Sequence, residues 1–492
     1  MKQLAKIWEF LMDHHVYRTV NLIIFIFYFV PSDYWIDYIP YVASFFWGIT
    51  LLVWDFFTKK LMFKQSYWYI LFALCISYIL SITTNLSAAL VPMGMNFVYL
   101  AFSVFIFYVI DPRETQEEKN DKFQKMNDVF IVITFVLSII SLLTFVLNIS
   151  FITAEGLRQG FIENRLFGVF TSPNIGSMFG YTSVILMLIN NYFKRGSWKK
   201  FQKFYIANGI IQYLYFVLSS SRGTRISVIA FFVFYFIITS ILMLYNQKQK
   251  RKQIIRNDFL LVGILTSLTY ANQFTSFTLS YVPGLVDNVT QGSDRIDKEI
   301  LEDEVPDRLI KRVVISHSED GSEVSSGRLP IWEAGLQLVK QKPVFGVADS
   351  YVYRKGELAG NIDEGNLSEI NKSELVRAHG NMHNTYVAVL VKAGISGFVI
   401  LSIFIVCILK DNYIFIKDNK NDFNDENIQM YIIILAFLLS LFANDLVDNH
   451  LIFNNRDVMG LIFWSYLSYL NHFRKAYSSK ESAVSNISKK QL

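Results

Sequence analysis

The chain has 492 residues, of which 52% are hydrophobic and 16% aromatic, with 44 Phe. Many apolar runs reach the ~17–20 residues needed to cross a ~30 Å hydrocarbon core, which excludes a soluble globular protein and predicts an all-α polytopic membrane protein. The net charge of +5 is no sign of nucleic-acid binding, because the basic residues follow topology, and Cys75 and Cys407, both inside apolar runs, offer no disulfide framework.

Taken in order, twelve spans are expected, at about 17–32, 39–57, 66–83, 88–110, 127–149, 171–192, 204–220, 226–245, 258–280, 385–409, 428–446 and 456–472. No signal-peptide cleavage pattern follows the first, so it reads as a retained span. With the N-terminus placed inside, the inner segments hold 28 of the 46 Lys and Arg, and every inner loop contributes. Lys59, Lys60 and Lys64 form one such group, and Lys248, Lys250, Arg251, Lys252 and Arg256 another. The short outer loops hold almost none. This positive-inside bias sets the orientation, with both termini cytoplasmic.

The chain then divides into spans one to nine (1–280), an extracytoplasmic loop domain (281–384), spans ten to twelve (385–472) and a cytoplasmic tail (473–492). From Tyr281 to Met382 the loop carries 18 Asp/Glu against 12 Lys/Arg, a net of −6. A loop this long crosses regardless of its charge, so its side follows from the flanking spans. Within it, Arg308 to Ile315 reads as a strand or short helix. Arg328 to Gln341 reads as an amphipathic helix on the membrane face or over the bundle, with Pro330 in its first turn. Pro343-Val-Phe-Gly346 ends that helix, and Lys355 to Ser373 reads as a lid-type segment. No repeat with a period of 20–50 residues is present.

Several ionisable groups fall at the outer surface. Arg222 and Arg225 lie in the polar turn Ser219-Ser-Ser-Arg-Gly-Thr-Arg225, Arg165 precedes the sixth span, Arg328 opens the amphipathic helix, and His383 enters the tenth span. Asp445, Asp448, His450 and Arg456 occupy the last outer turn. Guanidinium groups bind phosphate oxygens bidentately and stay charged at any working pH, whereas a histidine exchanges its proton near neutrality. Such a set suits a polyanionic ligand. Each residue also has a plainer reading. Arg222 and Arg225 can snorkel to headgroups, Arg165 can pair with Glu163, Arg328 can touch lipid, and His383 can bond a loop carbonyl. The i, i+4 spacing of His379 and His383 matches a zinc pair, but Gly380 and Asn381 weaken a helix there and the general-base Glu is missing. No metal site is expected.

His383-Asn384, nine residues, then Gly394 resembles the H-[NSQ]-x9-G signature of the O-antigen ligase and O-antigen/capsule polymerase family. Ser221-Arg222-Gly223, Gly327-Arg328-x3-Trp332, Pro343-Val-Phe-Gly346, and Arg165-x2-Gly168 with Pro173-Asn174 appear in the same order as in that family. The resemblance runs from about Arg165 to Ile400; the first four spans match only in hydropathy. It implies an inverting, metal-independent glycosyltransferase of the C-type membrane architecture. The implied donor is a glycan on undecaprenyl pyrophosphate, with Arg222, Arg328 and Arg165 on the pyrophosphate and His383 on the acceptor hydroxyl. Arg225, His379 and Asn384 are further candidates. No P-loop or Asp-x-Asp site lies in an inner loop, and no cofactor is expected. Expected partners are the lipid-linked oligosaccharide, membrane lipids, a chain-length regulator and a flippase, with no nucleic acid.

Within this family the chain reads as a polymerase of capsule, exopolysaccharide or O-antigen, and alternatively as a ligase to lipid A core or a wall acceptor. Phe-, Ile-, Asn- and Lys-rich usage leans toward an AT-rich source and the polymerase. A reading of another class is a lipid-linked oligosaccharide flippase or other transporter. Transporters place charges mid-span and pair broken helices between matching halves; here mid-span charges are nearly absent, the polar groups cluster at one face, and the two halves do not match. A non-catalytic scaffold or sensor would leave the Arg/His cluster unexplained.

Overall fold

The computed structural model describes residues 2–31, 38–86, 90–152, 157–194, 197–245, 251–283, 313, 315, 328–348, 353–354, 357–358, 367–420, 422, 425–454 and 457–490. Its helices are α1 (Lys2–Leu11), α2 (His14–Tyr28), α3 (Tyr38–Phe57), α4 (Trp68–Thr83), α5 (Leu90–Phe102), α6 (Gln116–Val146), α7 (Pro173–Phe193), α8 (Ser197–Ser219), α9 (Arg222–Tyr245) and α10 (Arg251–Leu279). They continue with α11 (Arg328–Gln341), α12 (Glu369–Arg377), α13 (Thr385–Asp418), α14 (Glu426–Asn444) and α15 (Val458–Lys490). Each of the twelve apolar segments predicted from sequence coincides with a helix. Among the described residues, five helices are long and apolar enough to cross a membrane: those over Ile39–Phe57, Gln116–Val146, Arg222–Leu244, Thr385–Asp418 and Glu426–Asn444. This is an all-α membrane-type fold.

Local chemistry sets the helix ends. Thr115 and Glu118 form a reciprocal capping box that starts α6 a full three turns before its apolar run. Ser172 caps α7 by accepting from the Asn174 N–H, with Pro173 in the first turn, where its missing donor costs nothing. Asp457 caps α15 by accepting from the Met459 N–H at 2.7 Å. The last helix runs on to Lys490, so most of the segment read as a tail is a continuation of α15.

Three features were not legible in the sequence. A three-stranded antiparallel sheet, β1 (Ser150–Ile152), β2 (Arg158–Ile162) and β3 (Arg165–Gly168), fills the link between α6 and α7. Gly168, at φ +63°, lies where a Cβ would meet Ser141 of α6 at 2.2 Å, so this sheet closes on α6 only through glycine. Second, the tenth span is not one continuous helix: Gly394 sits inside α13 at φ 67°, ψ −169°. Third, Lys392, inside that span, is buried; its Nζ donates to the Phe453 carbonyl at 3.3 Å and stands over the Phe453 ring.

The break at Gly394 is repaired by the turn after α11. Ile395 N–H donates to Pro343 O at 2.8 Å, Ser396 N–H to Val344 O at 3.1 Å, and Val347 N–H to Val391 O at 2.8 Å. Backbone groups released by the kink are thus satisfied by the Pro343–Gly346 turn rather than left orphaned in an apolar setting. Helix α11 forms as expected and lies over the bundle. Its Ile331, Ala334 and Leu338 share a core with Leu375, Met382, Ala388 and Val391. The Arg308–Ile315 segment lies outside the described residues except for Val313 and Ile315. The lid-type segment lies mostly outside them too, but its end is ordered differently from expectation, since Ser368 caps α12.

Candidate functional site

The site is built where four elements end together. The start of α9, the start of α13, the end of α14 and the start of α11 meet near β3. At α9, Ser220 adopts a left-handed φ of 51°, and Ser221 accepts from the Thr224 N–H at 3.2 Å. This turns the chain sharply out of α8 and makes Arg222 the first residue of the new helix. A Cβ on Gly223 would come within 3.1 Å of the Asn444 side-chain oxygen, so α9 begins directly against the end of α14.

Arg165 opens β3. Its Nε donates to the Ser219 carbonyl at 2.9 Å, and its Nη2 to Asn174 Oδ1 at 2.8 Å. The carbonyl is one that the end of α8 leaves unpaired within the helix. Glu163, the alternative partner, instead pairs with Arg158 at 2.6 Å. Burial, with Arg222 and Arg328 nearby, draws the Arg165 guanidinium down to about 10, still cationic at working pH. Burial also lowers Arg328, with Asp448 opposing that shift and Arg222 adding to it. Three guanidinium groups from distant parts of the chain therefore feel one another's charge. Like charges gathered this way repel, and an anion between them relieves the repulsion.

His383 precedes α13. Asn384 caps that helix, its Oδ1 accepting from the N–H groups of Tyr386 (2.9 Å) and Val387 (3.0 Å). The other end of the same amide, Nδ2, donates to Leu446 O at 2.9 Å. An amide serves both needs at once, which accounts for the residue type following the histidine. His383 itself has φ 45°, its N–H held by Asn381 Oδ1 at 3.0 Å. From the other side, Trp332 of α11 donates its indole N–H to the Met382 carbonyl at 2.9 Å. A residue in the left-handed region with its neighbours pinned on both sides is a constrained one.

Facing His383 is the α14–α15 connection. The Nδ1 of His383 lies 3.5 Å from Asp448 Oδ1, and Asp448 Oδ2 lies 3.5 Å from His450 Nε2. His450 Nδ1 and Asp457 Oδ2 are 2.7 Å apart. Burial alone would hold Asp448 protonated, but the His450 and His383 imidazoles overcome it and keep the carboxyl well below its ordinary range. Burial opposes the charge on His450, yet Asp457 and Asp448 raise it well above the ordinary histidine value. Thr385 fixes this loop to α13: its N–H donates to Asp445 O at 3.0 Å, and its hydroxyl lies 2.5 Å from Asp445 Oδ2.

Of the residues singled out from sequence, Arg165, Arg222, Arg328 and His383 gather around this end of the bundle, with Asn384 in the frame that holds the histidine. Arg225 also feels the charge of Arg222. It is exposed on α9 and lines a separate groove. His379 is exposed on the turn after α12. It and His383 both sit at left-handed positions rather than on one helical face, so the helical i, i+4 geometry of a zinc pair is absent. Among the described residues, no group of three or more His, Cys, Asp or Glu side chains is placed to hold a metal ion. Asp448, His450 and Asp457 carry more of the site than sequence reasoning assigned them. The signal was their spacing in one polar turn between two apolar helices. Arg456 lies outside the described residues.

The family model for O-antigen ligase matches residues 207–402, a stretch running from α8 through α11 and His383 to beyond Gly394. Comparison with curated proteins gave no match. The match covers 196 of the 492 residues and shows a similarity to that family over this stretch.

Proposed function

We propose, from that similarity and the geometry of the site, that the protein is a polysaccharide polymerase of the O-antigen ligase and polymerase family, moving a growing glycan from undecaprenyl pyrophosphate to the next lipid-linked repeat unit. The observation that carries this reading is the convergence of Arg165, Arg222 and Arg328 with the His383–Asp448 pair at one end of the bundle. The three guanidiniums take the diphosphate. Fixed cations stabilise the charge that develops there as the sugar–oxygen bond breaks, and so replace a general acid at the leaving group.

His383 takes the acceptor's proton. With Nδ1 turned to Asp448, the ring presents Nε2 to the acceptor hydroxyl, and the carboxylate selects the tautomer with its lone pair there. The acceptor oxygen forms the new bond to the anomeric carbon from the face opposite the diphosphate. The diphosphate leaves with the bonding electrons, and the hydroxyl proton ends on Nε2. The configuration inverts, and no metal takes part. A positioned base contributes about 10²–10⁴-fold. His450, held cationic by Asp457, keeps Asp448 ionised.

The same reading has twelve spans, a C-type architecture, both termini in the cytoplasm of a bacterial cell membrane, and the site on the outer face. A flippase and a chain-length regulator act beside it. The test is reconstitution with one defined lipid-linked repeat unit. A ladder of products is expected. Single transfer to a separate acceptor would make the protein a ligase, and movement of intact substrate across the bilayer without a new glycosidic bond would make it a transporter.

A further inference from the structure

A cavity of about 50 Å³ lies among the start of α2, the turn Leu61–Lys64 after α3, the link from α5 to α6, and the start of α6. It is far from the site described above. Helix α6 runs from Lys119, in the cavity wall, to Ser141, which Gly168 of β3 abuts. The rise between those two residues is ~33 Å at ~1.5 Å per residue, close to the ~30 Å of a hydrocarbon core. The cavity and the guanidinium cluster therefore occupy opposite ends of the bundle. The charges around the cavity are unevenly matched. Lys122 takes both Asp13 and Glu114, at 2.9 and 2.6 Å, and Arg113 takes Asp111 at 2.6 Å. Those contacts occupy the three acids of the wall. Arg18, Lys59 and Lys119 line it too, and among the described residues none of these three forms an ion pair. Asp13 and Glu114 reach Arg18, and Asp111 and Glu114 reach Lys119, only through space.

Burial makes this imbalance matter. Arg18 is 2% exposed and Lys119 5%. Arg18 donates its Nε to the His14 carbonyl at 3.3 Å and its Nη2 to the Val109 carbonyl, and its guanidinium stands over the Phe123 ring. Its Nη1 is buried without a partner in the protein. A buried cation with an unused donor is costly unless an anion meets it. Leu61, Ile110 and Phe123 make the rest of the wall apolar, which strengthens attraction to that anion. We infer that the cavity binds the phosphate group of an anionic ligand, a lipid headgroup or a soluble phosphate ester, on Arg18 and Lys119, with the half-buried Lys59 beside them. The volume holds about four water-sized groups, the number of oxygens on a phosphate. A guanidinium edge and an ammonium are the donors that phosphate oxygens favour. Bound there, the anion joins α2 to α6 by a second charge bridge, next to the one Lys122 makes with Asp13. The inference stands apart from the transferase reading and uses none of its residues.

The test follows the thermal midpoint of the full-length protein in a neutral detergent while sodium phosphate replaces sodium chloride at constant ionic strength. A saturating rise of about 2 °C or more is expected. Arg18→Gln and Lys119→Gln are each expected to lose the rise, and Arg222→Ala, at the other end of the bundle, to keep it. Lys119→Gln leaves the Arg18 contacts in place, so it reports even where Arg18→Gln fails to fold. No rise in the wild type, or a full rise in Lys119→Gln, would overturn the inference. Loss of the rise in Arg222→Ala with retention in Lys119→Gln would also overturn it, by moving the phosphate to the other cluster. Glycerol 3-phosphate and a short-chain phosphatidic acid, compared at equal concentrations below micelle formation, then separate the two sources. Saturation at lower concentration by the lipid assigns a headgroup, and equal or stronger action by glycerol 3-phosphate assigns a soluble ester. Inaction of both would overturn the inference.

Discussion

Gly346 and Gly394 meet backbone to backbone. A Cβ on Gly394 would stand 2.3 Å from Val344 O and 2.6 Å from Gly346 N, and a Cβ on Gly346 would stand 2.5 Å from Val391 O. Both residues also have positive φ. This contact locks the turn after α11 into the break in α13, ten residues after Asn384 and eleven after His383.

Gly394→Ala is therefore expected to destabilise the folded protein by about 2 kcal/mol or more, from the left-handed strain and the backbone clash together. The thermal midpoint of the detergent-purified variant checks this. A midpoint equal to the wild type would mean that the kink is not required.

Removing the cation cluster or the base should abolish product without unfolding the protein. Arg222→Ala, Arg328→Ala and His383→Ala are each expected to give no polymer while remaining in the membrane at normal amount. Arg222→Lys is expected to stay well below wild type, because an ammonium loses the bidentate grip. Polymer of normal length from His383→Ala would eliminate the assigned base.

His450 ties stability to pH. Its folded-state proton affinity is raised by Asp457 and Asp448 against burial. The stabilisation is therefore fully present below the ordinary histidine value of about 6.5 and is lost progressively as pH rises toward the folded value. The thermal midpoint is expected to fall above about pH 6.5, and His450→Gln to flatten that decline. A decline of the same slope in the variant would place its origin elsewhere.

Trp332→Phe deletes the indole donor to the Met382 carbonyl and keeps an aromatic ring at this half-buried position. Turnover is expected to fall about tenfold, with little change in the midpoint, because the loss is positional. Equal losses in turnover and midpoint would point to a purely structural role.

Glycan transfer is expected to survive EDTA, since the proposed chemistry places fixed guanidinium charge where other transferases place a divalent ion. Loss of transfer restored by one specific divalent cation would end the metal-independent mechanism.

The sequence by itself determined the helical segments, because apolar length and the placement of Lys and Arg are local properties that any folded form must respect. It also marked Arg165, Arg222, Arg328 and His383, which are cationic or titratable side chains at the polar ends of apolar runs. Tertiary structure alone decided which of them meet. Arg225 and His379 look as eligible as the others in the sequence, yet Arg225 also lines a groove and His379 is exposed on a turn, because side-chain placement depends on helix rotation and turn geometry. Asp448 gains its place only through contact between the starts and ends of helices that lie 65 residues apart along the chain at His383 and Asp448. The kink at Gly394 likewise reads from sequence as a lone glycine in a helix. It becomes a joint only when the Pro343–Gly346 turn arrives to take up its released hydrogen bonds.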